Sequence, residues 1–142
     1  MAAPARLTAI RGPALTYTGD PFQHGLEATM VYEPDAIIAM ADGKISHFGP
    51  TRTIRPRLPR GTKIEDYGHD ALIMAGFIDS HVHFPQVPMI AAYGDQLLDW
   101  LNTYTYPTEM KYADKEFARE VAKVFLQQNL RNGITSACVY CT

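Results

Sequence analysis

Leu72-Ile73-Met74-Ala75-Gly76-Phe77-Ile78-Asp79-Ser80-His81-Val82-His83 is the stretch that decides the fold. From Leu72 to Asp79 it is apolar nearly throughout, the pattern of a strand buried on both faces. The strand runs directly into His81-Val82-His83. In an extended chain, residues i and i+2 point to one face. The two imidazoles therefore project together, and Val82 packs the other way. Neutral imidazoles in this arrangement suit one shared zinc or ferrous ion. A bare His-x-His is common by chance and is more often surface or satisfied core. Its place at the C-terminal end of an apolar strand singles it out, because active sites of α/β barrels lie at that end.

Downstream, Asp95 is placed to cap a short helix bearing Leu97, Leu98, Trp100 and Leu101, and Pro107 closes that section. Asp114 is a good N-cap for a longer helix. In it, Phe117, Val121, Val124, Phe125 and Gln128 recur at three- and four-residue steps. Arg131 lies in the last turn and Gly133 is placed to stop the helix. Ile134 to Tyr140 then predicts a second buried strand. Strand, helical connection and strand make one βαβ-like unit.

Upstream, the pattern is β. Leu15–Thr18 predicts a short strand before a Gly19-Asp20-Pro21 turn, and Ala36–Met40 a clearer one. Asp42-Gly43 then leads into Ile45–Gly49, a strong hairpin signal because the turn requires positive φ. Thr51–Lys63, with Arg52, Arg55, Arg57, Arg60, Lys63 and two prolines, predicts an exposed connection. Lys63–Tyr67 predicts another short strand. The fold class is therefore α/β in two parts, a β-rich domain over 1–71 and a βαβ-like unit over 72–142, which the resemblance given below identifies as the first βα unit of a barrel.

The composition is that of an ordinary globular chain: 46% hydrophobic and 20% charged over 142 residues. A complete eight-stranded βα barrel takes about 250 residues, so only part of one fits. The net charge of −2 gives no pull toward nucleic acid or anionic lipid. No apolar run approaches a membrane span, and Met1–Leu15 lacks the continuous apolar core of a leader peptide. Cys138 and Cys141 are too few for a disulfide framework, so a reducing, cytoplasmic setting is expected.

Ala75-Gly76-Phe77-Ile78-Asp79-Ser80-His81-Val82-His83 resembles the first-strand signature of the amidohydrolase superfamily, with Ala75 in place of the usual proline. The Asp42-Gly43-Lys44-Ile45 hairpin resembles the small β-sandwich preceding its (β/α)8, TIM-like barrel. Phe84-Pro85-Gln86, Tyr93 to Asn102, Thr105 to Glu109 and Leu130 to Thr135 narrow the resemblance to the guanine deaminase family. Cys141 stands where bacterial members usually have glycine. The resemblance implies hydrolysis of guanine to xanthine and ammonia by a metal-activated water, with one Zn2+ (or Fe2+) and a homodimer for the full-length enzyme. It implies His81 and His83 as metal ligands, and His83 and Gln86 as substrate-binding residues. The glutamate that would act as general acid and base, and the remaining ligands, are expected beyond Thr142. The chain alone is therefore expected to be inactive. The competing readings are a superfamily deaminase of another heterocycle, a chlorohydrolase, or a non-catalytic fragment whose last strand invites association.

Other features carry blander readings. Cys138-Val139-Tyr140-Cys141 matches Cys-x-x-Cys, but i and i+3 on a strand face opposite ways; buried free thiols are expected. Asp79 is read as a polar residue bonded to backbone rather than a ligand. Gln86, without the resemblance, is a loop glutamine facing water. His24, His47 and His69 have no ligand spacing. Trp100, Tyr104 and Tyr106 are read as packing rather than as a purine-stacking platform.

Overall fold

The computed structural model describes residues 7–142. The leader-peptide reading rests partly on residues 1–6, which lie outside the described residues. The chain divides between Ala75 and Gly76 into two compact units. No helix of the described residues is long and apolar enough to cross a membrane.

In the first unit, β1 (Thr8–Tyr17) is followed by two single helical turns, α1 (Pro21–His24) and α2 (Leu26–Thr29). Asp20 starts α1 by accepting a hydrogen bond from the Phe22 amide at 2.8 Å. β2 (Met30–Ala41) and β3 (Lys44–Pro50) form the expected hairpin. Both turn residues, Asp42 and Gly43, have positive φ, 50° and 74°, as a tight right-twisting hairpin requires. After α3 (Thr51–Ile54), the short strands β4 (Ile64–Asp66) and β5 (Ile73–Met74) run parallel to β1. The sheet order is β3-β2-β1-β4, with β5 also beside β1. β1 and β2 extend well past the short runs expected from apolar patterning. Ladder pairing along Thr8–Tyr17 and Met30–Ala41 carries the polar ends with it.

Alternation along β2 buries Ile37 and Ala39 against Ala9 and Ile54. Ile54 sits on α3, so the expected exposed connection contributes a core residue, while its five basic side chains are all exposed. On the opposite face, Ile10, Leu15, Ile38, Met40 and Phe48 line an open apolar groove of about 390 Å³.

A bulge in β2 opposite Gly12 and Ala14 accommodates Pro34, which has no amide hydrogen to give the ladder. It also places Asp35 to accept from Arg11 Nε at 2.7 Å and from the Thr51 hydroxyl at 2.9 Å. Arg11 reaches Asp66 of β4 at 2.8 Å, so one guanidinium ties three strands together. These bonds, the Arg11 contact first, hold the Asp35 carboxyl below its ordinary range.

In the second unit, β6 (Phe77–His83) leads into a 3-10 segment (Phe84–Met89). A helical run follows: α4 (Leu97–Trp100), a π-helical turn (Leu101–Thr105), α5 (Tyr106–Glu109) and a 3-10 turn (Met110–Ala113). Pro107 does not close this section. It lies in the first turn of α5, where its missing N–H is tolerated, directly after the widened π turn. Asp95 does not cap α4 either; Gln96 holds that position, and Asp95 accepts from the Tyr93 hydroxyl. Asp114 caps α6 (Lys115–Arg131) through the Glu116 amide at 2.8 Å. Gly133 ends it and β7 (Ile134–Tyr140) returns parallel to β6. Val121 and Phe125 are the buried positions of α6.

Three expectations are corrected here. The Leu72–Asp79 run is not one strand: Ile73–Met74 pairs with β1 in the first unit, and a new strand begins at Phe77. The boundary therefore falls four residues later than the pattern change at Leu72. Nor are these strands buried on both faces. β6 has β7 as its strand neighbour, and Phe77 and Ile78 are 57% and 76% exposed. Cys138 and Cys141 are free, as expected, but exposed rather than buried, as is most of β7.

Asp35→Asn is expected to lower the melting temperature by a few degrees at neutral pH. Because the native carboxyl titrates below the unfolded one, its contribution is full above the unfolded Asp pKa of about 3.9 and is lost as pH falls through the native value. Melting curves from pH 7 to 2 should show the two proteins converging in acid. Phe125→Ala leaves a cavity beside Phe84 and is expected to cost about 3 kcal/mol, read from urea unfolding.

Candidate functional site

The site forms where β6 ends. Two irregularities in the β6–β7 ladder shape it. Phe77 pairs with Ile134 but Ile78 with Ser136, so β7 carries an extra residue at Thr135. Asp79 pairs with Ala137 but Val82 with Val139, so β6 carries one in return. At the first irregularity the strands crowd together. A Cβ on Gly76 would lie 2.2 Å from the Thr135 side chain, so glycine is required at this strand entry. The second removes the simple parity between Asp79 and the histidines. Asp79 turns back and accepts from the His81 amide at 3.1 Å, the backbone-bonded role expected of it.

His81 and His83 do project together. Their Nε2 atoms are 3.1 Å apart, and the ring centroids 5.1 Å apart. Both side chains are exposed. They open onto a cleft of about 470 Å³ that Gln86, Met89, Trp100 and Phe125 help to line. Gln86 sits on the 3-10 segment, anchored by the fully buried Pro85. It is half-buried rather than facing water, and its Nε2 donates to Glu109 Oε1 at 3.5 Å. Among the described residues no group of three His, Cys, Asp or Glu side chains is gathered in metal-binding geometry.

The aromatic residues divide. Trp100 is fixed by its Nε1 donating to the Ala92 carbonyl at 2.9 Å and helps to wall the cleft. Tyr104 and Tyr106 are partly exposed and do not line it. Behind the site, Phe84 packs edge-on against Tyr112 and Phe125, and Tyr112 against Phe117. Burial, reinforced by the Glu109 charge, pushes the Tyr112 hydroxyl up, so it stays protonated. His24, His47 and His69 lie in the first unit and take no part.

Sequence reasoning missed two residues. Tyr140 stacks on both imidazoles, with centroids 4.4 Å from His81 and 5.1 Å from His83. The signal was available: as the last residue of the second parallel strand, it ends at the same rim as His83, its register partner. Glu109 is 23 positions from Gln86, and no local pattern links them.

The chain is similar to known proteins along nearly its whole length. Guanine deaminase of Escherichia coli (strain K12) is 38% identical over 139 residues, 96% of this chain and 31% of that protein. The crystal structure of guanine deaminase from Bradyrhizobium japonicum matches at a TM-score of 0.86 and 37% identity, over 96% of this chain and 29% of that one. Guanine deaminase from C. acetobutylicum, solved with guanine bound in its active site, matches at 0.74 and 25% identity, over 96% of this chain and 30% of that one. The chain spans less than a third of the length of these relatives. The profile of the Amidohydrolase family matches residues 72–142, half of the sequence. That half includes the whole strand–helix–strand unit and its histidine pair, and on this ground the chain belongs to the amidohydrolase family.

Proposed function

We propose that this chain supplies part of the active site of a guanine deaminase, which converts guanine and water to xanthine and ammonia. The observation that carries the reading is the pair of imidazole nitrogens 3.1 Å apart, on residues that border one cleft together with Gln86. It is supported by the chain's similarity to guanine deaminases along nearly its whole length.

The donor set fits a divalent cation. The two imidazole nitrogens, 3.1 Å apart, are close enough to hold one divalent ion between them. His81 and His83 would hold the ion. When bound, it supplies a Lewis acid that lets water act as a nucleophile near neutral pH. Zinc is our preferred identity, with ferrous iron as the other imidazole-compatible choice.

Gln86 would position the purine. Its amide offers both a donor and an acceptor, matching the mixed edge of guanine, and its bond to Glu109 limits how the group can turn. Met89, Trp100 and Phe125 give the cleft apolar walls that exclude water from a planar base. A working site takes three protein ligands and an open position. We therefore assign the remaining ligands and the proton-transferring carboxylate to sequence outside this chain, and no turnover to the chain alone.

The barrel reading belongs to the same proposal. Parallel β6 and β7 joined through α6 are one βα repeat of the kind that closes into a (β/α)8 barrel. The first unit's sheet, apolar on both faces, is suited to pack into a small sandwich. The unbridged thiols are consistent with a cytoplasmic setting.

The test is a chimera in which residues 1–142 replace the matching segment of the E. coli relative. It is expected to release ammonia from guanine and not from adenine or cytosine. His81→Ala in the chimera should lose both bound metal and turnover; retained activity would refute the ligand assignment. Gln86→Ala should keep the metal and lower kcat/KM for guanine about 10- to 100-fold, the worth of a hydrogen bond lost at a polar edge. Loss of metal from that variant would instead make Gln86 structural.

A further inference from the structure

We propose that Tyr140 is a positioning residue that sets the ring planes of His81 and His83, so that their Nε2 atoms face one point before any cation arrives. This rests on the reading of the pair as metal ligands. Tyr140 is the register partner of His83 on the neighbouring parallel strand, so the two side chains share a face. Its ring lies 4.4 Å from His81 at an interplanar angle of 30°, and 5.1 Å from His83 at 23°. The imidazoles are tilted 53° to each other, and the tyrosine plane falls between theirs. One aromatic plate thus backs both rings.

The need for such a plate follows from exposure. The terminal torsion of histidine is broad, and both imidazoles are exposed. Rotation of either ring about Cβ–Cγ swings Nε2 away from the shared point, and a half-turn puts the carbon Cε1 in its place. No hydrogen bond from a carboxylate or carbonyl orients either ring among the described residues; the one polar contact of each is with the other, Nε2 to Nε2. Metal-bound histidines usually take their orientation from a hydrogen bond at the second nitrogen. Here the stacked face holds the rings instead. Both contacts are made by the Tyr140 ring, so the aromatic face is the active feature and phenylalanine should serve as well.

The experiment uses the 142-residue chain carrying Cys138→Ser and Cys141→Ser, so that the exposed thiols do not take up zinc. Tyr140→Phe and Tyr140→Leu are compared with it, and circular dichroism checks that each is folded. In the metal-free proteins, the imidazole carbon-bound protons of His81 and His83 should show upfield ring-current shifts, kept in Tyr140→Phe and lost in Tyr140→Leu. Zn2+ titration against a chelating dye should then give affinity about tenfold weaker for Tyr140→Leu and unchanged for Tyr140→Phe. Equal affinity for Tyr140→Leu and the parent, with imidazole signals also unchanged, overturns the proposal. Zinc binding that is indifferent to His81→Ala would instead overturn the ligand reading. In that case the metal-free spectra still decide the role of Tyr140: imidazole shifts that survive Tyr140→Leu refute it.

Discussion

The site depends on the parallel pairing of β6 with β7. A parallel ladder brings the C-terminal ends of two strands to one rim, and here those ends are His83 and Tyr140. The two bulges, one in each strand, keep the ladder in register overall while changing which side chains face together between them. They separate Asp79 from the histidine pair and leave it bonded to backbone. They also force the glycine at position 76, because Thr135 occupies the space a side chain would need. Gly76, Asp79, Thr135 and Tyr140 take their roles from this one ladder.

The remainder of the second unit supports that rim from behind. α6 buries Val121 and Phe125, and Phe125 meets Phe84 at the start of the segment that carries Gln86. The helix is stabilised locally as well. Asp114 caps its first turn and Arg119 pairs with Glu116 at 2.7 Å, although an exposed pair of that kind contributes only a few tenths of a kcal/mol. Packing of the apolar stripe stabilises the helix more than either. In the first unit the comparable feature is Arg11, whose two carboxylate partners lie on β2 and β4. It is a polar clasp at partial exposure, responsive to pH, beside a small core of Ala9, Ile37, Ala39 and Ile54.

Much of this was legible in the sequence. The hairpin at Asp42-Gly43, the Asp114 cap, the end of α6 at Gly133 and the order strand, helix, strand all follow from local chemistry, and the structure bears them out. So does the common projection of His81 and His83, which spacing on a strand implies. What failed were inferences of burial from apolarity. Leu72 to Asp79 looks like a single enclosed strand, yet its first half pairs with β1 and its second half lies exposed at Phe77 and Ile78. Apolar runs report what a segment can bury, and the partners that do the burying are not written in the run itself.

The sequence by itself determined the turns, the caps, the helix and the presence of two imidazoles on one side of a strand end, because each of these is fixed by residues within a few positions of one another. Only the tertiary structure decided that Tyr140 backs both rings, that Glu109 meets Gln86 and that the strand breaks at Gly76. These depend on register between distant segments, and a shift of one residue in a ladder moves every side chain to the other face.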